Sequence, residues 1–110
     1  MDLSRFYFIN SAADFLGEAG IELLKEYVIE KHYSKGQHIY MEGAYPKGVF
    51  ILDKGKIKIY QKTLEGLQQI MNIHVHGEII GYRPLLCDEK YPVSATAIEE
   101  CKVSFISKKQ

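Results

Sequence analysis

The sequence lacks the features that mark several classes of protein. It has two cysteines, Cys87 and Cys101, with no second cysteine near either, which excludes a Cys-x-x-Cys metal or redox motif. No apolar run approaches the roughly 20 residues of a membrane-spanning helix. Residues 1–10 also lack the basic start and apolar run of a signal peptide. We therefore expect a cytoplasmic protein with no membrane partner and with both thiols free and buried.

Charge of one sign is also missing. The 110 residues carry 14 basic and 14 acidic side chains, for a net charge of zero at pH 7. A domain that grips nucleic acid by itself normally has a basic face, and the densest lysines, at 54, 56, 58 and 62, indicate a solvated strand face instead. The length predicts a single domain over residues 1–110 with one modest core.

Enzyme motifs are absent too: the sequence contains neither a G-x-S-x-G elbow nor a glycine-rich phosphate loop. His74 and His76 lie two apart on a predicted strand and could chelate a metal, as a cupin enzyme does on a similar β-roll. However, Glu78 follows too closely for that pattern, and no later histidine exists. Ile73 and Val75 offer the better core face, so both histidines are expected to point away from it. We expect no catalytic residue and no metal site, with a cupin-like metal-dependent enzyme as the alternative.

What the sequence does have is a change in the spacing of its apolar residues, from helical spacing to the alternation of strands. Leu23, Leu24, Tyr27 and Val28 recur at helical spacing and predict a helix from about residue 19 that ends with Lys31 and His32 and is closed by Gly36. The aromatic segment before it (Phe6, Tyr7, Phe8) is interpreted as an arm on the body or on a partner. Short strands separated by turn residues follow, which is typical of an all-β sandwich or roll. They are predicted at residues 38–41, 49–52, 56–60, 67–75, 94–98 and 102–106, the fourth with Leu67, Met71, Ile73 and Val75 on its core face.

Residues 77–97 fit neither a plain strand nor a plain helix. Pro84 suits the first turn of a short helix, whose free N–H groups and positive end would favour an anion, and Arg83 adds a fixed charge beside it. The alternative is that Arg83 is a surface residue and the turn is a corner of the sheet. Loops held by a rigid sheet often carry function, so this insert is the main candidate site.

The order of these features resembles the cyclic-nucleotide-binding domain fold of the Crp/Fnr family of bacterial transcription regulators, over about residues 19–109. The resemblance implies a mainly β fold, a double-stranded β-helix or jelly-roll of about eight strands, with an N-terminal helix and a short helix in a phosphate-binding cassette. The segments that carry it are residues 33–40, Glu42-Gly43, residues 49–52, Lys54-Gly55-Lys56, Gly77-Glu78-Ile79-Ile80-Gly81 and residues 94–99.

The cassette departs from the family members that bind cyclic AMP. In them a glutamate after the second cassette glycine holds the ribose, and an Arg-Ser pair holds the cyclic phosphate. Here Tyr82 stands at the first position and Val93-Ser94 at the second. A buried phosphate without its cation is costly, so usual cyclic AMP binding is not expected. The candidate ligand-binding residues are Gly77, Glu78, Gly81, Tyr82, Arg83, Val93 and Ser94.

The resemblance also implies partners. We expect the sensor domain of a homodimeric regulator with a small-molecule effector, which contacts DNA only through a C-terminal helix-turn-helix not in this chain. Ser107 suits the N-cap of the family's dimerisation helix, so a fragment of a longer regulator is expected rather than a stand-alone domain. No cysteine precedes Cys87, which excludes the family's N-terminal iron–sulfur cluster, while residue type alone leaves haem open. A ligand-free interaction domain, with Tyr82 and Tyr91 filling the pocket, is the other alternative.

Overall fold

The computed structural model describes residues 17, 20, 22–25 and 27–109. This part of the chain folds into two four-stranded antiparallel sheets, with strand orders β1-β8-β3-β6 and β2-β7-β4-β5. The predicted mainly β roll is therefore confirmed. The elements are β1 Ile29–Tyr33, β2 His38–Tyr40, β3 Gly48–Lys54, β4 Ile57–Lys62, β5 Gln68–His74, β6 Ile79–Ile80, the short helix α1 Tyr82–Leu86, β7 Ser94–Ala97 and β8 Cys101–Ser107.

The core lies between the two sheets, and β3 is buried on both faces. Phe50 and Leu52 point into the main core, while Val49 and Ile51 join a second cluster that includes Leu85 of α1. This explains why β3 reads as a continuous apolar run rather than an alternating one. Packing of α1 on the outer face of β3 fixes the position of the insert. The main core is formed by Ile39, Phe50, Leu52, Ile57, Ile59, Ile80, Ala95, Ala97, Cys101, Val103 and Phe105.

The N-terminal prediction is partly wrong. The aromatic arm lies outside the described residues, as do residues 19, 21 and 26 of the predicted helix. Among the described residues of that helix, only Gly20 and Glu22 are helical. Leu24 already makes an isolated β-bridge with Lys108, and residues 29–33 form β1, which pairs with β8. Lys31 and His32 therefore lie in a strand. Helical spacing over so few residues is ambiguous, and a partner strand about seventy residues away decided the outcome.

The predicted faces of β5 are also wrong. Ile73 and Val75 are exposed, whereas His74 pairs across the sheet with the fully buried Ile57 and so lies on the inner face. Opposed residues in neighbouring strands share a face, and a bulge opposite Ile59 and Tyr60 shifts the alternation within β5. The sequence does not reveal this bulge.

The two thiols have different environments. Cys101 is buried, and its Sγ–H donates to the Lys56 carbonyl at 3.3 Å. Burial raises the pKa of this thiol. Cys87, at the end of α1, is exposed, so the expectation that both thiols are buried is wrong for it. In the residues that the structure describes, no helix is both long enough and apolar enough to cross a membrane.

Candidate functional site

The insert is built on a glycine corner and a short helix. Gly77 (φ 89°) donates its N–H to the Leu52 carbonyl at 2.8 Å, which anchors the start of the insert to β3. Gly81 has φ 73°, a left-handed conformation that favours glycine, and it is the N-cap of α1. Pro84 lies in the first turn of α1. The predicted short helix is confirmed.

A cavity of about 580 Å³ opens beside this corner, within the usual range for small-molecule sites. Of the seven predicted ligand-binding residues, Gly81, Tyr82, Arg83 and Val93 line it, whereas Gly77, Glu78 and Ser94 are not among its lining residues. Its other walls are Tyr40, Ile59, His74, Ile79, Ile80, Pro84, Glu89, Tyr91 and Pro92. We call it the cassette cavity.

Two stacked tyrosines stand behind Gly81. The rings of Tyr40 and Tyr91 are 3.9 Å apart between centroids and 12° from parallel. A methyl group at Gly81 would lie 3.3 Å from the Tyr40 ring and 3.4 Å from the Tyr91 ring, so the absence of a side chain lets the rings approach. Burial raises the pKa of Tyr40 to about 12 and raises that of Tyr91 as well. Both phenols are therefore neutral at physiological pH.

Tyr40 was missed by sequence reasoning, although Tyr91 was considered as a residue that fills the pocket. The two residues are far apart in the sequence and meet because β2 and the loop before β7 are brought together: Gly43 N–H donates to the Tyr91 carbonyl at 2.9 Å, and Tyr91 N–H donates to the Ala44 carbonyl at 2.9 Å. No local sequence motif predicts the contact between these two rings. The order of the strands in the sheet brings them together.

A histidine–carboxylate pair borders the cavity. His74, which lines it, is hydrogen-bonded through Nδ1 to Oε2 of Glu78. This hydrogen bond is the main cause that lowers the pKa of the Glu78 carboxyl, against a smaller opposing effect of desolvation. Glu78 is thus hydrogen-bonded to His74 at this corner, and it also accepts a 3.4 Å hydrogen bond from Val75 N–H.

The hydroxyl of Ser94 is used by the fold. Ser94 is 4% exposed, and its Oγ accepts the backbone N–H of Glu42 at 2.8 Å. Val93 is half-buried and packs on the main core. Among the described residues that line the cassette cavity, only Arg83 is a permanent cation, and it is exposed. The cavity therefore offers a phosphate one solvated guanidinium rather than a buried Arg-Ser pair.

The two histidines of the cupin-like alternative have different hydrogen-bond partners. His74 faces inward and contacts Glu78, whereas His76 donates from Nδ1 to the Asp53 carbonyl at 2.9 Å. In the described residues, no group of three or more His, Cys, Asp or Glu side chains is placed to hold a metal ion. His38, a third histidine, is exposed, and its Nδ1 lies 2.8 Å from the hydroxyl of Thr96, which donates to the buried Tyr60 hydroxyl at 3.2 Å.

Comparisons with known proteins agree with this architecture. The fumarate and nitrate reduction regulatory protein of Yersinia pestis is 30% identical over 79 residues, which cover 69% of this chain and 31% of that protein. The cyclic AMP receptor protein of Thermus thermophilus is 23% identical over 83 residues, covering 76% and 38%. The chain thus spans about a third of the length of these curated relatives.

Solved structures show the same fold. The crystal structure of the sensor domain of the transcriptional regulator DNR from Pseudomonas aeruginosa matches with a TM-score of 0.76 at 20% identity, over 97% of this chain and 75% of that one. The family model described as cyclic nucleotide-binding domain matches residues 30–110. On this match and these relatives, the chain belongs to the cyclic nucleotide-binding domain family, as a domain of the Crp/Fnr regulator type.

Proposed function

We propose that residues 1–110 form the single effector-sensing domain of a cytoplasmic Crp/Fnr-type transcription regulator, and that its cassette cavity does not bind cyclic AMP in the usual way. The family match supports the first part. The second rests mainly on one observation: Val93 lines the cavity where the resemblance expects the phosphate-binding arginine, while the neighbouring Ser94 hydroxyl is held by Glu42 N–H.

The size of the expected loss of cyclic AMP affinity follows from the charge of the cyclic phosphate. A cyclic phosphate that enters this cavity loses water and gains no buried cation, because Arg83 is exposed. A charge-assisted hydrogen bond contributes about 1.5–3 kcal/mol, which corresponds to roughly a tenfold to hundredfold loss of affinity when it is missing. Tyr82 in place of a carboxylate removes the ribose contact as well. Cyclic AMP binding is therefore expected to be weak.

The remaining cavity suits a small, weakly charged effector. Its walls are mostly aliphatic and aromatic, with the His74–Glu78 pair as a polar group at one side. Ligand sites are commonly mostly apolar with a few well-placed polar groups. Such a ligand would act by binding more tightly to one of two arrangements of the regulator. We propose that the domain acts in this way as a sensor and has no catalytic role.

Calorimetry with a repaired cassette tests this proposal. Tyr82→Glu combined with Val93→Arg should bind cyclic AMP at least about tenfold more tightly than the wild-type chain, because it restores the charge-assisted contacts. The control is Tyr82→Gln with Val93→Met, which makes similar changes of size without charge. Equal affinity of the repaired and control variants would contradict the alignment of the cassette. Tight binding by the wild-type chain would contradict the proposed loss of function.

A ligand-free interaction domain is the second candidate, and the tyrosine stack favours it. Tyr91 is 4% exposed and lies against Gly81, so side chains of the protein already occupy the space behind the cassette corner. Thermal-shift measurements over cyclic nucleotides and small uncharged compounds distinguish the two candidates. A flat response for every compound supports the ligand-free domain, because a ligand that binds the native state must raise the melting temperature.

Exposed apolar side chains on β5 and the chain flanking it support a homodimer, the proposed state of the regulator. Leu67 is 67% exposed and Ile70 and Met71 are each 56% exposed. Large exposed apolar patches mark contacts with partners. DNA would then be read by a helix-turn-helix outside this chain. In sedimentation equilibrium, Ile70→Ser with Met71→Ser should weaken self-association, whereas Leu64→Ser, in the turn before β5, should not. An equal effect of both variants would contradict this contact.

A further inference from the structure

A second and larger cavity lies on the other side of the tyrosine stack. It has a volume of about 810 Å³ and is bounded by β1, β2, β8 and the loop from Met41 to Lys47. Tyr40 and Tyr91 line both this groove and the cassette cavity, so the stack is the wall between them. We call the second cavity the lysine groove. None of the predicted ligand-binding residues lines it.

Positive charge dominates the rim of the groove. Five lysines line it, and none of its described lining residues is acidic. None of these lysines takes part in an ion pair between described residues. The chain as a whole is neutral, so this is a local concentration of charge rather than a consequence of composition. The lysines are Lys25, Lys31, Lys47, Lys108 and Lys109.

Lys31 lies at a position where an apolar residue is expected. It is half-buried and pairs across the sheet with the fully buried Val103, so it points to the inner face of β1. Its Nζ lies 4.5 Å from the centroid of the Phe105 ring. Moving an ammonium group into partly apolar surroundings is costly without a compensating anion. Among the described residues, no carboxylate supplies one.

Backbone hydrogen bonds fix the other lysines around the groove. Lys108 N–H donates to the Lys47 carbonyl at 2.7 Å, and Lys25 N–H donates to the Ser107 carbonyl at 2.9 Å. Three chain segments that are distant in sequence are thus tied together at the points where they carry lysine. The backbone positions are set before any ligand arrives, which reduces the conformational entropy that is lost on binding.

The floor of the groove is aromatic. Adjacent rings continue from the tyrosine stack, with centroids 6.1 Å apart for Tyr40 and Phe50 and 4.8 Å apart for Phe50 and Phe105. Tyr33, which is half-buried on the same inner face as Lys31, forms the side of the groove. Apolar ring surface next to lysine side chains, with the Lys31 ammonium group over the Phe105 ring, is complementary to a molecule with a planar ring and negative charge.

We propose that the lysine groove binds a small anionic molecule that carries a planar aromatic ring, at a site separate from the cassette cavity. The ring lies on the aromatic floor, and the anionic group contacts Lys31 together with Lys47 and Lys108. Nucleotides and aromatic sulfonates or carboxylates share this chemistry. The site neither requires nor excludes an effector in the cassette cavity.

The test compares two fluorescent probes that differ in charge. These are 8-anilinonaphthalene-1-sulfonate, which is anionic, and N-phenyl-1-naphthylamine, which is neutral. The wild-type chain should bind the anionic probe at one saturable site. Lys31→Gln with Lys47→Gln and Lys108→Gln should weaken it about tenfold, at the modest value of one half-buried and two exposed charge contacts, while the affinity for the neutral probe changes less than about twofold.

A matched control removes equal charge elsewhere. Lys54→Gln with Lys58→Gln and Lys62→Gln alters lysines that do not line the groove and should leave the affinity for the sulfonate unchanged. Equal weakening by both triple variants would overturn the proposal, since it would show an effect of net charge only. Failure of the wild-type chain to bind the sulfonate more tightly than the neutral probe would also overturn it.

Two further measurements locate the probe without relying on the triple variants. Amide chemical shifts perturbed by the sulfonate should cluster at Lys31, Ala44 and Lys47 in the wild-type chain. Arg83→Gln, at the cassette cavity, should leave the affinity for the sulfonate unchanged. Perturbations centred on Gly81 and Val93, or a loss of affinity in Arg83→Gln, would place the probe in the cassette cavity and overturn the proposal.

Discussion

Replacement of Ser94 by alanine tests whether its hydroxyl serves the fold or a ligand. In the structure this hydroxyl is 2.8 Å from the Glu42 nitrogen and accepts its N–H. The Ser94→Ala variant keeps the strand geometry of β7 but leaves the Glu42 N–H without its acceptor. If Ser94 served only a ligand, the ligand-free protein would not lose stability. The two roles therefore predict different results in the absence of any ligand.

The expected cost follows from the surroundings of the two atoms. A net hydrogen bond contributes about 0.5–1.5 kcal/mol, and an orphaned buried donor costs about 1–3 kcal/mol. Ser94 is 4% exposed, but Glu42 is an exposed residue and the hydrogen bond between them is only partly buried. We therefore expect a loss of about 1–2 kcal/mol in the free energy of unfolding. This corresponds to a fall of about 5 °C or more in the melting temperature.

Urea denaturation followed by circular dichroism measures this loss. The midpoint should fall while the slope with denaturant stays constant, which indicates a change in stability alone. Ser34→Ala is the matched control, because Ser34 is exposed and bonds to Gln37 through its backbone N–H. If Ser94→Ala were as stable as Ser34→Ala, the hydroxyl would be free for a ligand. The proposed loss of the phosphate site would then lose one of its supports.

Three other substitutions have defined outcomes. Gly48→Ala should lower the free energy of unfolding by at least about 1–3 kcal/mol in urea denaturation, since the new methyl group would contact the Ile106 carbonyl across the sheet; wild-type stability would contradict the close packing of β3 and β8. The hydrogen bond from His74 lowers the pKa of Glu78. The pair therefore contributes stability at pH values above the ordinary carboxyl pKa, and this stability is lost as the pH falls through the lowered pKa. Because Glu78 is partly exposed, Glu78→Gln should cost less than about 1 kcal/mol at pH 7, and a cost that persisted at pH 2 would contradict this origin. Burial raises the pKa of Tyr40 from 10.0 to about 12, so the neutral phenol contributes stability that is complete below the unfolded pKa and is lost as pH rises to about 12. Tyr40→Phe should therefore lose less stability than the wild-type chain over this pH range. An identical dependence of stability on pH in the two proteins would refute the assignment.

Much of the fold could be predicted because its signals are local. Alternation over residues 56–60 and the glycine at Gly55, with φ 103°, marked β4 and the turn before it. The buried run of β3 was equally clear. The errors arose where contacts between residues distant in the sequence determine the structure. For example, β1 forms against β8 through the pairing of Ile29 with Phe105. The bulge opposite Ile59 then reversed the faces of β5 in a way that no short-range pattern predicts.

The candidate site was predicted in its outline and not in its contacts. The glycine corner and α1 follow from the residues themselves, since Gly81 adopts a positive φ and Pro84 suits a first helical turn. The stack of Tyr40 on Tyr91 required knowledge of which loops meet. Likewise, Lys31 could be recognised as an inward-facing charge only once the register of β1 was known.

The tyrosine stack has a thermodynamic consequence. Tyr40 and Tyr91 are shared by both cavities, so a molecule that displaces either ring from one side changes the shape of the other cavity. Any resulting change in affinity is reciprocal: if a ligand on one side weakens binding on the other by some factor, the second ligand weakens binding of the first by the same factor. A pair of rings 3.9 Å apart is thus a physical element on which both binding equilibria would depend.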